Sequence, residues 1–95
     1  MLLLPATITA KEASVAQRLL TQAMKSEPEG PVVIDASNLS QFDSSALAVL
    51  LECHRAAQAW GRAFVLRNAP AKLTALAKLY GVDVLLMPEQ AVNAG

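Results

Sequence analysis

Val32-Val33-Ile34 is a β-branched apolar run without alternation, the pattern of a strand covered on both faces. Asp35 to Asp43 interrupts it with Asp, Ser and Asn, residues that bond their own backbone in turns. From Ser44 apolar residues return at helical spacing as far as Ala59, and Gly61 suits the left-handed position that ends a helix. Asp43 is placed to cap that helix, accepting from its free first-turn amides. Ser44 and Ser45 then lie in the first turn, where the helix dipole is positive. A hydroxyl displayed there serves either as an extra cap or as a recognition or phosphate-bearing group.

The flanking segments follow the same logic. Leu2 to Leu4 reads as a short strand and Pro5-Ala6 as a turn. Thr9 and Glu12 have the spacing of a capping box, with hydroxyl and carboxylate each reaching a free amide. From there to Lys25 the period is helical. Val15, Ala16, Leu19, Leu20, Ala23 and Met24 share one side, and a polar face that needs no partner fills the other. Ser26 to Pro31 is a loop within the domain, barred from helix by Pro28, Gly30 and Pro31. Ala63 to Leu66 predicts a strand. Asn68-Ala69-Pro70 opens a third helix that buries Leu73, Leu76, Ala77 and Tyr80 and stops at Gly81. Val84 to Leu86 has the composition of a short edge strand, and Pro88 to Gly95 that of a loose tail. Strands alternating with helices across short connections predict an α/β fold, a small mixed sheet covered by helices in one domain over residues 1–87.

Composition narrows the function. One cysteine, Cys53, excludes an internal disulfide and a cysteine-based zinc cluster. Eight acids balance eight bases, so there is no electrostatic case for nucleic acid. No stretch has the length of a membrane span or the pattern of a signal peptide, and the expectation is a cytoplasmic protein without direct membrane insertion. The hydrophobic fraction of 54% is high for 95 residues, although 18 of them are alanine. A partner covering some apolar surface fits that excess.

Several residues invite a functional reading. On the second helix Leu47, Leu50, Leu51, His54 and Ala57 form a core stripe. Val49, Cys53, Ala56 and Trp60 line up on another side, where either a neighbouring helix covers them or a partner docks. Trp60 would suit the anchor of such a surface. His54 has no second histidine and no carboxylate at ligand spacing, and reads as a half-buried, hydrogen-bonded core residue. Cys53 reads as a small buried or interfacial hydrophobe. Asp35 and Asp43 lack an accompanying base, nucleophile or phosphate-binding loop, and both have turn or cap explanations. Lys72 and Lys78 read as solvated charges. Nothing calls for a catalytic residue, a metal or a cofactor.

Strand, Asp, short loop and then Phe42-Asp43-Ser44-Ser45-Ala46-Leu47 resembles the STAS domain family, in which an Asp-Ser/Thr pair opens the second helix. Ala46 departs from the glycine usual there. Leu76-Ala77-Lys78-Leu79-Tyr80-Gly81-Val82 is similar to the C-terminal helix of the MlaB-type members, cytoplasmic STAS subunits of ABC phospholipid transporters that maintain outer-membrane lipid asymmetry. The resemblance implies about four strands with the helices packed against the sheet, and, since STAS domains begin with a hairpin, a late start in which the first strand is missing or supplied by another chain. It further implies a non-enzymatic interaction subunit that binds the transporter's MlaF-like ATPase, and through it the MlaE-like permease, at Ser44, Ser45 and Asp43. Such a protein is peripheral to the inner membrane through its complex. The alternative within the family is an anti-sigma-factor antagonist, phosphorylated on Ser44 by an anti-sigma-factor kinase.

Overall fold

The computed structural model describes residues 1–27 and 30–88. The elements are β1 (Leu2–Leu3), β2 (Thr7–Ile8), α1 (Ala13–Ser26), β3 (Val32–Asp35), β4 (Gln41–Phe42), α2 (Ser44–Ala59), β5 (Phe64–Arg67), α3 (Ala71–Leu79) and α4 (Asp83–Leu86). The expected tail lies, from residue 89 onward, outside the described residues, as do Pro28 and Glu29 of the loop.

β3 is the centre of a three-stranded sheet in the order β1-β3-β5, with Ile34 opposite Leu2 and Leu66. Every pairing is parallel, so the α/β expectation holds with a parallel sheet in place of a mixed one. The cause is connectivity: α1 joins β1 to β3 and α2 joins β3 to β5 across the sheet. Both crossovers step in the same direction, and right-handed crossovers of that kind lay both helices on one face. The α1–α2 contact is the most extensive between any two elements. On the helix-covered face Val32 and Ile34 are fully buried. Val33 and Val65, on the other face, are half-buried, and Leu3 is 58% exposed.

The second sheet is a two-residue clasp. Thr7 and Ile8, just past the Pro5-Ala6 turn, pair in parallel with Gln41 and Phe42 of the polar loop. Ser40 and Gln41 N–H both donate to the Ala6 carbonyl, tightening the same junction.

Three expectations are corrected by packing. Val84 to Leu86 is a helical turn: Leu86 and Met87 are buried side by side while Val84 and Leu85 are exposed, which alternation cannot provide. Tyr80 is 58% exposed, because α3 buries Leu73 and Ala77 and ends where Gly81 takes φ +73°. The buried stripe of α1 is narrower than the sequence shows. Ala16, Leu20 and Met24 face the core, whereas Val15 and Leu19, about 100° away around the helix, are 48% and 59% exposed.

Thr9 and Glu12 meet, though not as a reciprocal box. The Glu12 carboxylate accepts from both the Thr9 amide and the Thr9 hydroxyl, and the helix proper begins at Ala13. The C-terminal end of α1 has an unforeseen partner. Arg62 donates through Nε to the Gly30 carbonyl at 2.7 Å and through a terminal nitrogen to the Met24 carbonyl at 3.0 Å. A cation here adds a second donor to a last-turn carbonyl of α1 and offsets the negative end of the helix dipole. Arg62→Ala should therefore lower stability by about 2 kcal/mol, roughly 10 °C in melting temperature. Arg62→Lys should recover only part of it, because a lysine cannot reproduce the fork. A melt of Arg62→Ala within a degree or two of the parent would show that the clamp contributes nothing.

Candidate functional site

The site is the junction where β1, β3 and the clasp hand the chain over to α2. Phe42 leaves the clasp, and Asp43 turns extended at φ −128° and ψ −163° before the helix starts. Its Oδ1 accepts from the Ser45 amide at 2.8 Å, its Oδ2 from the Ala10 amide at 3.4 Å, and its carbonyl from the Ala46 amide at 3.0 Å. Hydrogen bonding from Ser45, first of all, and from Ala10 holds its carboxyl below the ordinary carboxylate range. The cap read from the sequence is present, with a tie to a segment 33 residues earlier that the sequence did not announce.

Ser44 is exposed, and its hydroxyl makes no hydrogen bond among the described residues. Ser45 is half-buried beside Asp43. Ala46 is fully buried at an ordinary helical position, so this chain needs no glycine there. Because Asp43 already occupies the amides of Ser45 and Ala46, the helix start has little left with which to hold an anion. What it offers is an uncommitted hydroxyl above a fixed negative charge.

Val49 and Cys53, two members of the second apolar stripe, are 1% and 0% exposed and belong to the same core as Leu20 and Met24 of α1. They cannot meet a partner in the folded chain. Of the other two, Ala56 is half-buried and Trp60, at 39% exposure, reaches solvent. The solvent face of α2 is instead Ser44, Ala48 and Arg55, with Leu51 and Glu52 half-exposed between them. Glu52 and Arg55 form an exposed ion pair at 3.5 Å. Those two charges were the available signal, since they mark which side of a largely apolar helix faces water.

His54 is half-buried, edge-on to Phe64 with ring centroids 5.3 Å apart. Burial pushes the Cys53 thiol up to about 11, which suits an inert core residue. Asp35 is buried at the end of β3, where it accepts from the Ser37 amide at 2.7 Å and from Asn68 Nδ2 at 2.9 Å. Those bonds, Ser37's foremost, lower its pKa. Asn68 takes the left-handed φ of 57°, so this one bond fixes both the end of β5 and the approach to α3. Asp35 is thus a structural turn carboxylate, and it shares no hydrogen-bond partner with Asp43 among the described residues. Among the described residues no group of His, Cys, Asp or Glu could hold a metal ion, and no helix is long and apolar enough to cross a membrane.

A family model described as "Mlab, STAS domain" matches residues 2–88. The chain belongs to the MlaB-like STAS family. No curated protein matches it. A STAS domain of this kind is an interaction module, and the match runs from β1 through α4 without a break.

Asp35, Asp43 and Glu12, the last through the Thr9 hydroxyl, all have lowered pKa values from hydrogen bonds. The folded state therefore binds protons less readily than the unfolded chain. Its contribution from these groups is complete above about pH 5 and is lost as pH falls through the lowered folded values. Urea midpoints should be level from pH 7 to about 5 and decline below about 4. Asp43→Asn, which keeps a capping oxygen, should remove part of that decline; a midpoint indifferent to acid would show these bonds do not favour the ionised forms.

Proposed function

We propose that this chain is the STAS subunit of an Mla-type ABC phospholipid transporter, a non-enzymatic module that docks on the cytoplasmic ATPase through the solvent face of α2 headed by Ser44. The observation that supports it is the exposed, unbonded Ser44 hydroxyl at the top of a stripe whose next member is the small Ala48. Small side chains around a free donor let another protein surface approach closely. Ser45 and Asp43 act beneath it by fixing the helix start. The subunit reaches the permease only through the ATPase, lies peripheral to the inner membrane in that complex, and never touches lipid. Its effect on the ATPase is limited to the difference in its affinity for the ATPase's conformations.

The exposed hydroxyl also suits a kinase, which is the case for an anti-sigma-factor antagonist. A phosphate on Ser44 would add a charge of about −1.5 to −2 beside a carboxylate that is already ionised. That repulsion favours the transporter reading.

Co-expression with the lipid-transport ATPase of the same genome tests it. A stable complex with altered ATP turnover is expected. Failure to bind that ATPase, together with phosphate found on Ser44 after exposure to a partner kinase, would establish the switch instead.

A further inference from the structure

Among the described residues β5 is an edge strand whose one neighbour is β3. The ladder shows which of its backbone groups are used. Val32 N–H donates to the Ala63 carbonyl at 2.8 Å and Ala36 N–H to that of Arg67 at 2.9 Å, so residues 63, 65 and 67 turn their polar groups toward β3. By the two-residue period of a strand, N–H and C=O of both Phe64 and Leu66 point the other way. No described residue outside the sheet bonds to them. Beside this strand lies a groove of about 470 Å³ that Leu86, Met87 and Pro88 also line.

We propose that this edge pairs with the same edge of a second copy of the chain, antiparallel about a two-fold axis, to give one continuous six-stranded sheet. Such an axis, perpendicular to the sheet, keeps the two faces aligned and allows only pairs of equal parity. Centred on Val65, it sets Val65 opposite itself and Phe64 opposite Leu66. The residues with free groups then form the hydrogen-bonded pairs, and Val65 forms the closer non-bonded pair.

Neighbouring registers fail. Centring on Leu66 brings in Asn68, whose φ of 57° has left the strand, and centring on Phe64 brings in Arg62, held on Gly30 and Met24. The chosen register matches aromatic to aliphatic on the helix face, valine to valine on the open face, and Arg67 to Ala63 with no like charges opposed. The one charge of β5 is Arg67 at its last position, and Phe64, Val65 and Leu66, which make the contact, include no charge or proline. The balanced net charge sets up no repulsion between copies. Strands this short bury far less than about 1,000 Å², so the dimer is weak and exchanges quickly. None of this rests on the transporter reading, and no ATPase enters its test.

The test uses the full chain. Sedimentation over a rising concentration series should show a monomer–dimer equilibrium. Val65→Lys, which opposes two ammonium groups, should shift it several-fold toward monomer with an unchanged circular dichroism spectrum. Val65→Cys should form a disulfide-linked dimer on mild oxidation, since its α-carbons meet at about 4.5 Å. Val33→Cys, on the same face of the central strand, should not, and Cys53 is buried out of reach. A parent that stays monomeric throughout the series, or a dimer that Val65→Lys leaves unchanged, overturns the proposal.

Discussion

Val49→Glu is expected to unfold the protein. Val49 is 1% exposed in the core that α1 and α2 share, and among the described residues no lysine, arginine or histidine is buried. The variant loses the burial of a valine, about 1.5–3 kcal/mol, and must also desolvate an unpaired carboxylate at several kcal/mol more. A domain of this size has a total stability on the order of 5–14 kcal/mol, so the two losses consume most or all of it. Circular dichroism and a one-dimensional proton spectrum should show collapse of cooperative structure, partly relieved at low pH where the carboxyl is neutral. A cooperative melt near that of the parent at neutral pH would mean that α2 is rotated and Val49 faces solvent.

Ala48→Arg is expected to do the reverse: keep the fold and lose the partner. Ala48 is exposed one turn beyond Ser44, and a longer side chain there extends into water. Its effect on stability should be within about 0.5 kcal/mol. In a complex formed through this face, the guanidinium would either hold the surfaces apart or be buried unpaired. Either costs about 3 kcal/mol, more than a hundredfold in affinity for the ATPase. Arg18→Glu, on the exposed side of α1, should leave capture intact. Capture of Ala48→Arg at the parent's affinity would move the docking surface off this face of α2.

The contrast between these neighbouring positions shows what the sequence could and could not convey. The span of α2 was legible because both ends carry local signals, a capping aspartate and a glycine that accepts positive φ. Its orientation was not. A helix apolar on two sides gives no local reason to prefer one, and of the two occupants open for the second stripe, a neighbouring helix or a partner, it is α1, a segment some 30 residues earlier, that covers Val49 and Cys53. The α/β class followed from alternation of strands and helices, but the sheet, read as mixed, is parallel, and the β2–β4 clasp went unforeseen because two residues are too few to show a period. The bonds of Arg62 to Met24 and of Asn68 to Asp35 span 38 and 33 residues, and no local pattern foretells them. The candidate site was half visible. Asp43, Ser44 and Ser45 stand where the motif put them, while the Ala10 bond that braces Asp43 appears only in three dimensions.

That brace has a consequence for the order in which the molecule comes apart. The clasp pairs two residues with two others across a closed loop of more than 30, so it recovers little for the chain entropy it must oppose. It will be among the last parts to close in folding and the first to open in the native state, and the Ala10 amide will exchange with solvent early. Since Asp43 loses one of its donors in the same event, breathing of the N-terminal segment is transmitted to the helix start that presents Ser44. A ligand that grips Ser44 and quiets this end would thereby slow hydrogen exchange 34 residues upstream, at a place it never touches.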